Sequence, residues 1–370
     1  MYYKLESLRG VAACLVVLFH SPYHFGTEPL QFLHNSYLFV DFFFVLSGFV
    51  MAFSYSEKIG RTLTFKPYIQ LRLGRIYPLH LFMLVACIGY FVLKQGLFMF
   101  GYGNTDLYQG DELYTILTNL LLLQAAGAND ALSWNTPSWS IGAEFFAYMA
   151  FYGFLITIDR HKGLWVPPVI SLVCYGFILS LGRPNLDITY DYGVIRCLGA
   201  FYLGVWVFRL NAFEATHRWI SHHIGKLEWL LAIATVVIVT VAEEHIYLSL
   251  TAIGIFTLSI LVFANPANGT LGQVLNSQPL RLVGQWSYSI YMLHYLIILV
   301  FNNVIAALIP AGAVLTGPPS LLLNTLIVLL TLAGSYLTFE QVEKRYRDKV
   351  KAYVKQRRQA EQSRVNTEVG

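Results

Sequence analysis

Residues 113–126 read LYTILTNLLLLQAA. The run is apolar, yet shorter than the roughly 20 residues a helix needs to cross a bilayer. Whether it crosses decides the sidedness of everything that follows it, and charge arbitrates. Suppose it does not cross, and the N-terminus is cytoplasmic. The loops 56–75, 159–163, 209–227 and 265–283, with the two termini, then face the cytoplasm and hold Lys58, Arg72, Arg75, Lys226 and most other basic residues. The opposite loops hold only Lys94 and Arg183. That is a strong positive-inside bias. If 113–126 crossed, the basic 209–227 loop would face out. The segment is therefore read as re-entrant or interfacial, a geometry tolerated at membrane depth where protein or a cavity covers the backbone.

Around this segment the sequence predicts ten membrane helices, near 8–25, 37–55, 76–93, 138–158, 164–182, 192–208, 228–241, 246–264, 284–307 and 319–338. The fold class is all-α, a polytopic membrane helix bundle. The run at 228–241 is short, so it must stand upright or extend into its flanks. Two regions follow: a transmembrane domain over 1–340 and a basic cytoplasmic tail over 341–370, expected as a helix on the membrane surface that touches anionic lipid before fraying.

Composition points the same way. The 370 residues are 56% hydrophobic and only 12% charged, against about 25% charged in soluble domains. Cys14, Cys87, Cys174 and Cys197 lie in apolar stretches without metal or CxxC spacing and read as reduced core residues. The first apolar run lacks a small-residue cleavage site, so it is expected to stay as an uncleaved span. No metal site and no nucleic-acid partner is expected.

Ionisable groups inside spans are expensive and mark function. Arg9 and His20 lie 11 residues apart on the first span, on one face, with a rise of about 16 Å between them. By depth, His20, Asp41, Glu144 and Arg196 converge on the outer half of the bundle. Arg72 and Arg75 join Arg9 at the inner end, with His80 a turn deeper. Guanidinium forks there suit phosphates. A histidine beside a carboxylate suits general-base work on a hydroxyl. In GQWSYSIYMLHY (284–295), Ser287, Tyr291 and His294 share a face, with Tyr288 beside them, and suit a donor channel. Structural readings stand beside these. Arg72 and Arg75 suit a positive-inside anchor, and His20 a satisfied core histidine. Arg196 suits an ion pair with Asp41 or Glu144. The polar residues of 284–295 suit bridges between helices.

Five stretches, in this order, resemble the acyltransferase 3 family: LESLRGVAACLVVLFH (5–20), DFFFVLSGF (41–49), RLGRIYPLH (72–80), PSWSIGAEFFAY (137–148) and GQWSYSIYMLH (284–294). Each alone is weak; together they are specific and cover most of the chain. The resemblance implies about ten helices, a cytoplasmic acetyl-CoA donor and acceptors such as cell-surface carbohydrates. It implies that Arg9 and His20 are essential, with His20 as the catalytic histidine. It ties Arg72 and Arg75 to the donor and places Trp139 and Glu144 in a WSxxxE element. The expected catalytic set is His20 with Asp41 or Glu144. The expected donor contacts are Arg9, Arg72, Arg75, Ser287, Tyr288, Tyr291 and His294. Trp139 and Arg196 are expected at the acceptor. The chain resembles the shorter stand-alone members, including exopolysaccharide acetyltransferases, so a bacterial inner membrane with cytoplasmic termini is expected. The rival readings are a proton-coupled secondary transporter, against which no inverted repeat is visible, and a sensor or scaffold working through the basic tail.

Overall fold

The computed structural model describes residues 2–23, 30–100, 112–158, 163–243, 245–308 and 315–369, without the side chains of 361–369. The architecture is the all-α polytopic bundle that the apolar pattern predicts. Its ten long helices are α1 (Tyr3–His20), α3 (Phe39–Tyr55), α4 (Phe65–Met99), α6 (Trp139–Thr157), α7 (Val166–Ser180), α8 (Gly193–Leu210), α9 (Glu214–Val241), α10 (Ile246–Phe263), α12 (Gln278–Leu308) and α13 (Pro318–Thr338). Shorter pieces join them: α2 (Gln31–His34), which leads through a 3₁₀ turn into α3, then α5 (Leu113–Leu120) and α11 (Thr270–Leu275). Beyond α13 a π-helical turn, Phe339–Lys344, leads into α14 (Arg345–Val369). Among the described residues, eight helical runs are long and apolar enough to cross a membrane. α1 carries Lys4, Glu6 and Arg9, and α7 has only 15 residues.

Two close helix crossings set the register of the bundle. α3 and α8 meet at Gly48 and Gly204, where an added Cβ would strike the backbone of Phe201 and of Val45. α1 and α12 meet at Gly10, where a Cβ would sit 2.6 Å from the Gly284 nitrogen. In lipid the apolar effect does not drive helices together, so backbone approach through small residues does.

The 113–126 segment does not form a span. α5 has eight residues, about 12 Å of rise against a hydrocarbon core of about 30 Å. The chain after it is irregular, and many of the polar groups of this segment are met from within, although Gln124 Oε1, Asn129 Oδ1 and Asn135 Oδ1 are buried without partners among the described residues. Asn119 donates to the Thr115 carbonyl (2.8 Å) and to Ser133 (2.9 Å). Its own carbonyl accepts from His80 Nε2 at 2.9 Å. Tyr77 donates to the Leu120 carbonyl, Gln124 to that of Ser138 and Asn135 to that of Met292. Leu122 and Trp134 have positive φ, 60° and 54°, a strained state for such residues that the surrounding packing must hold.

Two expectations change in detail. The short run at 228–241 extends into its flank, so most of the predicted 209–227 loop is helix from Glu214 onward. The tail is helical over its described length, as expected. It continues from α13 and packs along α4, with Val350 filling the notch at Gly74 and Val354 buried.

Candidate functional site

Four helices each turn a helical stripe toward one cavity of ≈ 150 Å³. α6 contributes Ser140, Glu144 and Tyr148 at four-residue spacing, and α4 contributes Arg72, Arg75 and Ile76. α12 presents Ser287, Tyr288 and Tyr291; α3 presents Phe43, Phe44, Ser47 and Met51. Arg9 comes from α1, donating to the Gly284 carbonyl at 3.0 Å beside the glycine crossing.

The cavity brings three guanidinium groups together. Arg75 is tied to the buried carboxylate of Glu343, which also accepts from Ser289 (2.9 Å). Arg72 donates to the Tyr55 hydroxyl and lies 4.5 Å from that ring's centroid. Among the described residues it has no carboxylate partner. The buried Arg9 Nε, Arg72 Nε and Ser287 Oγ lack hydrogen-bond partners among the described residues. Unpaired buried donors are costly, and this wall can accept hydrogen-bond acceptors of an anion. Glu144 is the acidic member, accepting from Ser47 and from Tyr148 at 2.6 Å.

Depth reasoning put Glu144 at the opposite end from the arginines, but the structure places all four in one cavity. Arg9 is six residues into α1 and Glu144 five residues into α6. At 1.5 Å per residue, each lies about 8–9 Å inside its own helix end. The remaining gap is within reach of long side chains.

His20 is elsewhere and has a different partner from those expected. Its Nδ1 is 2.9 Å from the Val16 carbonyl and 3.2 Å from His294 Nε2. His294 Nδ1 is 3.2 Å from the Ile290 carbonyl. Carbonyls only accept, so one hydrogen assignment satisfies every contact. Each ring carries a hydrogen on Nδ1, and His294 Nε2 accepts from His20. His20 Nε2 has no hydrogen-bond partner among the described residues. Tyr291 links this pair to the cavity. Its ring lines the cavity and lies 5.8 Å from that of His294, and its hydroxyl donates to the Pro137 carbonyl at 3.0 Å.

Neither expected carboxylate orients His20. Asp41 is taken by Arg196 in a two-pronged pair, Nε–Oδ1 3.0 Å and Nη2–Oδ2 2.6 Å, with both side chains fully buried. Arg196 also donates to the Ile188 carbonyl and lies 5.4 Å from the Trp139 ring. Asp41 and Arg196 thus neutralise each other, and Trp139 closes over them, outside the cavity lining. His294 was expected in the donor channel and instead stands against His20, whereas Ser287, Tyr288 and Tyr291 do line the cavity.

The acyltransferase 3 family model, an acyltransferase domain, matches residues 2–340. The chain belongs to the acyltransferase 3 family. It is an acyltransferase. Acyltransferase MdmB of Streptomyces mycarofaciens is 26% identical over 320 residues, 80% of this chain and 78% of that protein. Protein 2 in the picA locus of Rhizobium radiobacter is 35% identical over 147 residues, 37% of this chain and 73% of that protein. YrhL of Bacillus subtilis (strain 168), named provisionally a peptidoglycan O-acetyltransferase, is 23% identical over 326 residues, 81% of this chain and 49% of that protein. No solved structure matches.

The acyltransferase 3 match holds both the cavity and the histidine pair, but stops at the π-helical turn. Glu343, which anchors Arg75, lies just beyond it. Sequence reading missed Glu343, because nothing local marks a carboxylate that meets Arg75 across 268 residues. It missed Tyr148 although the i, i+4 spacing from Glu144 is visible in the sequence.

Proposed function

We propose that this membrane acyltransferase moves an acetyl group from cytoplasmic acetyl-CoA to a hydroxyl of an exported or cell-surface carbohydrate, in a bacterial cytoplasmic membrane with both termini cytoplasmic. One observation carries the reading: a three-arginine cavity meets, across Tyr291, a histidine whose Nε2 is an unencumbered base. Arg9, Arg72 and Arg75 supply donors for the phosphate-bearing thioester, and Ser287, Tyr288 and Tyr291 line its path toward the pair. The basic loops and tail support cytoplasmic entry.

In this reading His20 Nε2 removes the acceptor hydroxyl proton. The oxygen attacks the thioester carbonyl carbon, and the tetrahedral intermediate expels the thiolate as the C–S bond breaks. The thiolate takes the proton back from His20, giving an ester and free coenzyme A. His294 and the Val16 carbonyl hold the ring throughout. Family membership favours transfer over the transporter reading.

The test uses inside-out vesicles holding wild type or His20→Ala, acetyl-labelled acetyl-CoA outside and cell-surface glycan inside. Label on the lumenal glycan with the wild type alone is expected. Donor binding without any transfer removes the carbohydrate assignment. Absence of both donor binding and transfer removes the donor assignment.

A further inference from the structure

The tail packs a second basic site against the back of the arginine motif. Lys351, Val354, Lys355, Arg358 and Gln359 of α14, with Leu71 of α4, line an open cleft of ≈ 320 Å³. Three cations line it at positions i, i+4 and i+7, so they share one face of α14. Among the described residues no carboxylate lines it. Burial and the charges of Arg347, Arg75 and Arg72 push the Lys351 ammonium below its usual range, against the opposing Asp348.

Packing holds this concentration of like charge in place. Val350 fills the notch at Gly74 and Val354 is buried. Arg358 donates to the Thr62 carbonyl. At the near end the buried Glu343 joins Arg75, Ser289 and Arg347 (3.7 Å). The π-helical turn that carries Glu343 adds a residue to the turn and so resets the face that α14 shows to α4. Cations held side by side repel one another unless an anion lies among them.

The placement matches one kind of ligand. Positive charge runs from the cleft across Arg72 and Arg75 into the central cavity. Leu71 to Ile76 along α4, then Tyr288 to His294 along α12, is roughly 16 Å of rise; the Tyr288 hydroxyl, 2.6 Å from the Ile76 carbonyl, sets the two helices level. A ligand reaching both ends needs a phosphate-rich head, a long flexible arm and a terminal thioester.

We propose that the α4–α14 cleft binds the nucleotide phosphates of the coenzyme A thioester, making the tail helix part of the donor site. This rests on the proposed donor. The same phosphate chemistry is offered by an anionic lipid headgroup, and the experiment separates the two.

Full-length wild type, Lys351→Gln/Lys355→Gln and the single exposed-site variant Lys355→Gln are reconstituted in phosphatidylcholine, with and without phosphatidylglycerol. Each is assayed with acetyl-CoA and with its 3′-dephospho analogue. Losing charge-assisted contacts to phosphate should raise the double variant's KM for acetyl-CoA about tenfold or more, with a far smaller change in kcat. The wild type should prefer acetyl-CoA to the dephospho analogue, and the variants should lose that preference. An unchanged KM, or a retained preference, overturns the proposal. A defect confined to phosphatidylglycerol membranes assigns the cleft to lipid and also overturns it. Wild type that neither binds nor turns over acetyl-CoA removes the underlying donor reading as well, whereas normal wild-type turnover with unaltered variants removes the cleft alone.

Discussion

His294 Nε2 stands 3.2 Å from His20 Nδ1, on the side of the ring away from the free Nε2. The Val16 carbonyl shares the same hydrogen at 2.9 Å. His20 is thus gripped at one nitrogen and left open at the other, which fixes both the ring plane and the tautomer. In the proposed chemistry His20 works and His294 positions it. His20→Ala should lower kcat by at least about 10²-fold while leaving acetyl-CoA affinity near wild type. Lost donor binding in a folded His20→Ala protein contradicts this division.

His294→Ala should lower kcat with little change in donor KM, because the free ring of His20 can then turn. His294→Gln should recover part of the loss, since its amide oxygen can accept from Nδ1. Combining His20→Ala with His294→Ala should cost no more than His20→Ala alone, as expected of residues acting as a unit. Additive losses place His294 in a separate role.

Arg72 and Arg75 share a motif but differ in their surroundings. Arg72 has aromatic and sulfur contacts and no described carboxylate partner. Arg72→Ala should weaken acetyl-CoA binding about tenfold or more with little change in thermal stability. Arg75→Ala leaves the buried Glu343 with only Ser289 and the more distant Arg347 and should lower both binding and stability. Glu343→Gln in that background should restore stability and not binding. Calorimetric titration and thermal unfolding read the two effects apart.

Asp41 and Arg196 form a buried pair that holds α3 to α8, away from the reacting groups. Asp41→Ala should destabilise the protein by about 3–5 kcal/mol, because it leaves a buried guanidinium uncompensated. Asp41→Asn with Arg196→Met should recover much of that loss. The folded double variant should retain turnover. A folded, stable but inactive double variant would return the pair to the chemistry.

The acid between Ser47 and Tyr148 offers a last check. Glu144 is the cavity's own carboxylate and accepts from both hydroxyls. Glu144→Gln keeps the shape but exchanges two acceptor oxygens for one oxygen and a donor, and leaves the guanidinium groups less compensated. Donor binding should be kept or tightened while kcat falls. Unchanged kcat removes Glu144 from the reaction.

Much of this protein is local and so can be read from its sequence. Apolar runs of membrane length mark all ten helices, because each helix satisfies its own backbone in lipid whatever its neighbours do; the bounds are missed where a helix runs on past its apolar stretch, as α4 does from Phe65 and α9 from Glu214. The failure of 113–126 to span follows from charge counting and length alone. The motif residues Arg9, Arg72, Arg75, Glu144, Ser287, Tyr288 and Tyr291 could all be named in advance. Most of their partners could not, and for Arg196 the sequence left Asp41 and Glu144 as alternatives. Asp41 with Arg196, His20 with His294 and Arg75 with Glu343 join residues 155, 274 and 268 positions apart. Helical periodicity shows which face a residue occupies, not which helix it meets. Those meetings depend on the Gly48–Gly204 and Gly10–Gly284 crossings and on the π-helical turn that lays α14 against α4. Only the packed bundle decides them, because side-chain reach and backbone approach act across the whole chain.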